Sequence, residues 1–229
     1  MAGILYAIAT PLGGPVADAL PAAALTAIRP LRDFVVENAR TARAFLKEAG
    51  MPCAMQELDI SVLETDVSPH LRKLKEGRSI GLLSEAGCPA IADPGAALVA
   101  AAHRDGIRVV PLVGPSSIML ALMASGLEGQ RFAFRGYLPR APEERKRRIR
   151  ELEARSRRER ETQIFIETPY RNARLLDALL SICLPDTLLC VATELTLPGE
   201  SVHTLSVAAW KKRKPNLTDR PTVFLLLAL

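Results

Sequence analysis

Apolar residues in this chain come in short runs separated by stretches of helical period. Ile4 to Ala9 is one such run, ending on Thr-Pro-Leu-Gly-Gly: the pattern of a buried strand and a tight loop. Ala17 to Arg29 repeats apolar positions at helical spacing. Asp33 to Val36 predicts a second strand, and residues 38–49 a helix that Gly50-Met51-Pro52 stops. Ser68 to Glu76 reads as a helix with Ser68 as its cap before Pro69. SIGLLS (79–84) is a buried strand. ADPGAALVAAAHRDG then predicts a helix opening at Asp93, with Pro94 in its first position and Gly106 past its end. IRVVPLVG (107–114) is another strand.

Gly114-Pro115-Ser116-Ser117 breaks this alternation, and the apolar stretch IMLALMASGL follows as a helix. RFAFRGYLP alternates like a half-exposed strand, and residues 142–161 form a charged helix. TQIFIET (162–168) is a strand, YRNARLLDALLSIC a helix and TLLCVATEL a strand. ESVHTLSVAAW is a strand running into a short helix, and RPTVFLLLAL a final strand. Strand and helix alternate through connections that suit crossovers, so an α/β fold is expected. The change of texture near 113–117 predicts two domains, 1–113 with a parallel sheet and 114–229 with a mixed sheet. No internal repeat is visible.

Composition narrows the picture. The chain has 229 residues, enough for a large core, and a net charge of +5 that permits a polyanionic partner without requiring one. Its four cysteines form no C-x-x-C pair and its three histidines lie far apart, so no metal site is expected. Scattered cysteines fit a reducing cytoplasm. The first residues read as a strand, not a signal peptide, and no apolar run is long enough to span a bilayer.

Three Gly/Pro-rich loops each follow a strand: Thr10 to Gly14, Ser84 to Gly95 and Gly114 to Ser117. In open α/β sheets such loops meet at one edge, where main-chain groups can hold a polar small molecule. Each loop alone could equally be ordinary punctuation. None carries G-x-x-x-x-G-K-[ST] or G-x-G-x-x-G, which disfavours a nucleotide-phosphate or dinucleotide site. Asp93 has two readings, a cap for the helix at Pro94 or a ligand contact, and capping explains the D-P-G arrangement without a ligand. Glu85 sits in the same loop with no helix to cap.

Taken together these motifs resemble the tetrapyrrole methylase superfamily of S-adenosylmethionine-dependent methyltransferases. The branch that the chain is most similar to contains the small-subunit ribosomal RNA (cytidine-2′-O)-methyltransferases. The matching segments are ATPLGG (9–14), SEAGCPAIADPG (84–95), VGPSS (113–117), FRGYLP (134–139) and ETPYR (167–171), in the family's order. The resemblance implies a two-domain fold with the cofactor in the cleft between domains, gripped mostly by main-chain groups, and a homodimer. S-adenosylmethionine contacts are implied at Pro11, at Ser84, Ala86, Gly87, Pro89 and Asp93, at Ser116 and Ser117, and at Tyr137, Leu138 and Pro139. Glu194, Pro221 and Thr222 match the family's adenine-side wall. The acceptor-side motifs depart from the family: A-E-D-T-R is VENAR (36–40), the His of P-H-R is Tyr170, and R-E-L-T-K is TELTL (193–197). The RNA-modifying members also carry a further C-terminal portion.

Methyl transfer from a sulfonium is an in-line displacement, so the protein chiefly aligns its reactants and excludes water. A hydroxyl acceptor must also lose a proton, and Glu37, Glu85 and Glu167 are the candidate bases, in that order. Each could instead be a solvated or paired strand-end carboxylate. Arg40 and Arg171 are candidates to bind an acceptor phosphate or carboxylate, or else lie on helix surfaces. Residues 135–160 hold 11 Lys or Arg against 5 Glu, and KKRK (211–214) adds a second basic cluster. Pairs such as Glu144–Arg148 and Glu151–Arg155 are expected to neutralise part of this. The excess suits a nucleic-acid backbone, although few aromatics are available to stack on bases. The expected activity is therefore methylation of an RNA ribose. The alternatives are a small-molecule acceptor such as a tetrapyrrole, or a non-catalytic cofactor-binding factor associated with RNA.

Overall fold

Two sheets organise the chain in this computed structural model, which describes residues 2–229. The residues fall into two compact units that part between Ser116 and Ser117. In the first unit, strands β1 (Leu5–Ile8), β2 (Asp33–Val36), β3 (Asp59–Val62), β4 (Ile80–Leu83) and β5 (Val109–Pro111) form a sheet of order β3-β2-β4-β1-β5. All its pairings are parallel. The helices are α1 (Val16–Ala19), α2 (Ala22–Ile28), α3 (Ala39–Glu48), α4 (Ser68–Lys75) and α5 (Ala96–Arg104). Ile8, Phe34, Val36 and Leu83 pack with Val16, Ile28 and Leu46 of α1–α3. Leu5, Val35, Ile80 and Leu82 pack with Leu74 and Leu98 of α4 and α5. Alternate residues of each strand thus feed two cores, one per face, as the period of two requires.

Several local expectations are corrected. The stretch 17–29 is two helices, because Pro21 sits between them as the N-cap of α2. Ser68 does not cap α4. It is the first helical residue, Val67 occupies the cap position, and the Asp66 carboxylate accepts the Ser68 N–H at 2.9 Å. Asn38 does cap α3, accepting from the Arg40 N–H. Strand β3 was not expected. Leu58, Ile60 and Val62 do alternate in sequence, but charged neighbours make the run short.

The second unit contains α6 (Ser117–Ser125), β6 (Phe132–Tyr137), α7 (Pro142–Glu159), β7 (Thr162–Ile166), α8 (Asn172–Ile182), β8 (Leu188–Thr193), β9 (Ser201–Ser206), α9 (Val207–Lys212) and β10 (Thr222–Leu227). Its sheet has the order β6-β7-β10-β8-β9. Only β6 and β7 are parallel, and β10 runs antiparallel between β7 and β8. Ile149, Leu152, Leu176, Leu179 and Trp210 carry α7, α8 and α9 onto one shared core with Phe165 and Phe224, whose rings stack at 6.0 Å.

On α7 the ion pairs differ from those expected. Glu151 pairs with Arg148 at 3.2 Å and Arg147 at 3.9 Å, while Arg155 turns to Glu159 and Glu161, both at 3.0 Å. Glu161 lies beyond the helix end and also meets Arg135, so one carboxylate serves two guanidinium groups.

Candidate functional site

In the first unit the loops after β1, β2, β4 and β5 all leave the carboxyl edge of the parallel sheet. Helices α1–α3 cover one face and α4–α5 the other. The loop after β4 therefore departs opposite to those after its neighbours β1 and β2, the arrangement that opens a ligand crevice. These loops are tied to one another. The Thr10 N–H donates to the Gly87 carbonyl at 2.9 Å and the Gly87 N–H donates back at 3.0 Å. The Thr10 hydroxyl donates to the Ser84 carbonyl at 3.3 Å, and the Ser84 hydroxyl to the Gly87 carbonyl at 3.1 Å. The Cys88 thiol donates to the Pro115 carbonyl at 3.4 Å. Two glycines permit this closeness. Gly87 has φ +82°, and a Cβ on Gly114 would fall 2.5 Å from that of Ala9.

The Asp93 capping expectation is overturned. Helix α5 begins at Ala96, its N-cap is Gly95 at φ +131°, and no side chain caps it. Ala90 and Ala92 both take left-handed conformations, and the Ala90 N–H closes a turn onto the Pro94 carbonyl at 3.2 Å. That turn consumes the residues that would have made the first helical turn, so Pro94 is not helical. Each left-handed alanine costs about 1–2 kcal/mol, strain of the kind stored in binding loops.

Released from capping, Asp93 joins a cluster of carboxylates. The Glu37 carboxylate accepts the Glu85 N–H at 3.1 Å, and the Thr41 hydroxyl lies 3.4 Å from Glu85 Oε1. Burial pushes the Asp93 carboxyl up to about 6; the charges of Glu37 and Glu85 push the same way, and hydrogen bonding with Ser84 opposes them. Burial, with Asp93 nearby, also raises the Cys88 thiol. The edge of this unit thus sets glycine-opened backbone beside concentrated negative charge, which suits a cationic polar ligand. A cavity of about 380 Å³ lined by Arg32, Asp33 and Arg78 lies at the opposite, amino edge, away from these loops. There Asp33 and Asp59 are already neutralised by Lys73 and Arg78.

The second unit also gathers its candidates at one edge. Register aligns Tyr137 with Ile166, Ile166 with Val223, and Thr222 with Thr193. Tyr137, Glu167, Thr222 and Glu194 therefore stand at the same end of adjacent strands. The Glu167 side chain is 2% exposed, accepts the Thr168 N–H at 2.8 Å and pairs with Arg171. It is thus a buried, paired carboxylate at a strand end. Arg171 in turn lies 5.3 Å from the centre of the Tyr170 ring. Glu194, at φ +51°, accepts from Arg220 Nη2 at 2.6 Å and Nε at 3.0 Å, and its own N–H donates to the Pro221 carbonyl. The Thr222 hydroxyl donates to the Arg220 carbonyl at 2.9 Å.

Of the expected cofactor residues, Pro11, Ser84, Ala86, Gly87, Pro89, Asp93 and Ser116 lie on the loops of the first unit. Ser117, Tyr137, Leu138, Pro139, Glu194, Pro221 and Thr222 belong to the second. Leu138 is 4% exposed and packs in the core, so it can offer a ligand only its main chain. Arg40 is exposed in the first turn of α3. The Thr10–Gly87 pairing, the place of Thr41 beside Glu85 and the raised Asp93 carboxyl were not anticipated. An A-T-P stretch marks a loop, but nothing in it signals that Thr10 pairs with a residue 77 positions later. Among the described residues no three His, Cys, Asp or Glu are grouped to hold a metal ion, and no helix is long and apolar enough to cross a membrane.

Residues 5–209 match the profile of the tetrapyrrole (corrin/porphyrin) methylases. The chain is 33% identical to a ribosomal RNA small subunit methyltransferase I of Escherichia coli O157:H7, covering 93% of this chain and 74% of that protein. It is 36% identical to the protein of the same name from Xylella fastidiosa, over 87% of this chain and 71% of that one. The solved methyltransferase CobJ superposes with a TM-score of 0.64 at 19% identity, over 100% of this chain and 95% of that one. The cobalt precorrin-4 methyltransferase CbiF gives 0.62 at 14% identity, over 98% and 94%.

Proposed function

The chain belongs to the tetrapyrrole methylase family and is a methyltransferase, and from that premise we propose that it transfers a methyl group from S-adenosylmethionine to a ribose hydroxyl of ribosomal RNA. The observation that carries the donor assignment is the reciprocal Thr10–Gly87 pairing, with Glu37, Glu85 and Asp93 beside it. These residues fit the donor: a cradle of main-chain groups, open glycines and net negative charge complements a cationic sulfonium that also carries an ammonium group. When bound, S-adenosylmethionine supplies a methyl already activated for displacement. The chain then has to bind, align and keep water out. Main-chain groups of residues 84–89 hold the donor's polar atoms, and the carboxylates offset its charge.

A hydroxyl acceptor must give up its proton. Asp93, whose carboxyl burial pushes up to about 6, is a candidate to take it near neutral pH, with Glu37 and Glu85 beside it as the other candidates. RNA as acceptor draws on the names of the relatives and on the charge of α7. Arg145, Lys146 and Arg150 make no ion pair among the described residues, whereas the cations toward the other end of α7 are met by Glu159, Glu161 and Asp186. Unpaired cations are what a phosphate backbone recruits. Arg40 is a further phosphate contact. The enzyme acts in the cytoplasm, where ribosomal RNA is modified, as a homodimer, which light scattering would test.

The deciding experiment supplies radiolabelled donor with protein-free small-subunit ribosomal RNA and a small-molecule extract, both from cells lacking the protein. Label at RNA positions that resist alkaline hydrolysis supports a ribose 2′-oxygen. Label only in the extract would move the acceptor to a small molecule. Donor binding with no label in either fraction would leave a non-catalytic factor.

A further inference from the structure

Tyr170 has no part in the chemistry described so far, yet its setting is unusual for a surface aromatic. It is 67% exposed, and the Arg171 guanidinium lies 5.3 Å from its ring centre. Arg171 is itself braced: its side chain is only 16% exposed and is paired with Glu167, which is buried at the end of β7. A freely rotating tyrosine would lose conformational freedom on binding anything. The guanidinium over one ring face biases this one toward a single orientation, by about 0.5–1 kcal/mol, and leaves much of the remainder open to solvent. Tyr137, at the end of the neighbouring strand β6, is 55% exposed and lies close enough to act on the Arg171 charge. Two of the three tyrosines in a chain with 4% aromatics therefore stand exposed at the same sheet edge. Unpaired nucleobases are commonly recognised by stacking on tyrosine rings and guanidinium planes.

We propose that Tyr170, braced by Arg171, is a stacking platform for an unpaired nucleobase of the RNA acceptor, with Tyr137 flanking it. The platform rests on RNA being the acceptor. It also answers the shortage of stacking aromatics in the sequence: one pre-organised ring substitutes for several mobile ones.

The test compares Tyr170→Ala and Tyr170→Phe with the unaltered protein in filter binding to protein-free small-subunit ribosomal RNA across a salt series. Donor affinity is measured by calorimetry on the same preparations. Tyr170→Ala is expected to weaken RNA binding at least about fivefold, the lower end for loss of one stacked base, and Tyr170→Phe to stay within about twofold. The slope of log affinity against log salt should not change, because no phosphate contact is lost. Donor affinity and Tm should be unaffected in both. Unchanged RNA binding by Tyr170→Ala, or a shallower salt slope, overturns the platform while leaving RNA as acceptor. Failure of the unaltered protein to bind RNA, with donor binding intact, overturns both.

Discussion

Thr10 and Gly87, 77 positions apart, exchange both of their main-chain hydrogen bonds, at 2.9 and 3.0 Å. This two-residue bridge joins the loop after β1 to the loop after β4, and Gly87 sustains it at φ +82°. Any side chain there meets a left-handed backbone, and a Cβ would lie 3.3 Å from Leu12. Gly87→Ala is expected to cost about 1–2 kcal/mol of stability. It should also reduce the thermal shift produced by S-adenosylmethionine by more than the lost stability accounts for. Scans with and without donor check both parts.

Asp93 predicts a pH dependence with a definite sign. Its folded-state value of about 6 lies above the ordinary 3.8, so the folded protein holds a proton that the unfolded chain releases. Below about pH 4 the group is neutral in both states and costs nothing. As pH rises through that window the stability it contributes is progressively lost, and above about 6 the loss is complete. Asp93→Asn should therefore raise Tm at pH 7.5 and leave it nearly unchanged at pH 4. The effect is modest, on the order of 1 kcal/mol, because the carboxyl is only partly buried. Affinity for the cationic donor should rise with pH across the same range in the unaltered protein, and calorimetry should find that rise flattened in Asp93→Asn.

Glu167 and Arg171 form a pair whose carboxylate is buried, and removing one member leaves the other without its partner. Glu167→Gln is expected to lower Tm by roughly 5–10 °C. Donor affinity, set by groups of the first unit, should survive at temperatures well below the transition. A pH–rate profile that keeps its shape in this variant would place Glu167 in support and not in proton transfer.

The amino half of α7 gathers like charges at helical neighbour spacing: Arg145 with Arg148, Arg147 with Arg150, and Lys146 with Arg150. Each such pair destabilises the helix by about 0.2–0.5 kcal/mol. Replacing Arg145, Lys146 and Arg150 together by Gln should leave Tm equal or higher and make the salt slope of RNA binding shallower by about 2–3. Replacing Arg155 and Arg158, which are paired with Glu159 and Glu161, should change the slope little.

Much of this architecture could be read in advance because glycine and proline write loops plainly. The segments at 9–14, 84–95 and 113–117 were marked by residue types whose backbone freedom or rigidity has few uses. Asp93 was misread for the same reason. D-P-G is a good helix opening, and nothing local shows that Ala90 and Ala92 turn left-handed and use up that opening. Glu167 and Arg171 were visible as an i, i+4 pair, but burial at a strand end is a tertiary fact. Strand order was also hidden. Register between β7 and β10 depends on matched side chains more than 50 positions apart, such as Phe165 and Phe224.

The place of β10 has a consequence for how the second unit is made. It enters the sheet between β7 and β8, and both depend on it for a neighbour. Until it inserts, two strands present bare hydrogen-bonding rims, the state in which chains adhere to one another. Refolding of this half should therefore be slow, cooperative and sensitive to protein concentration, with near-native ellipticity regained only as that late strand threads home.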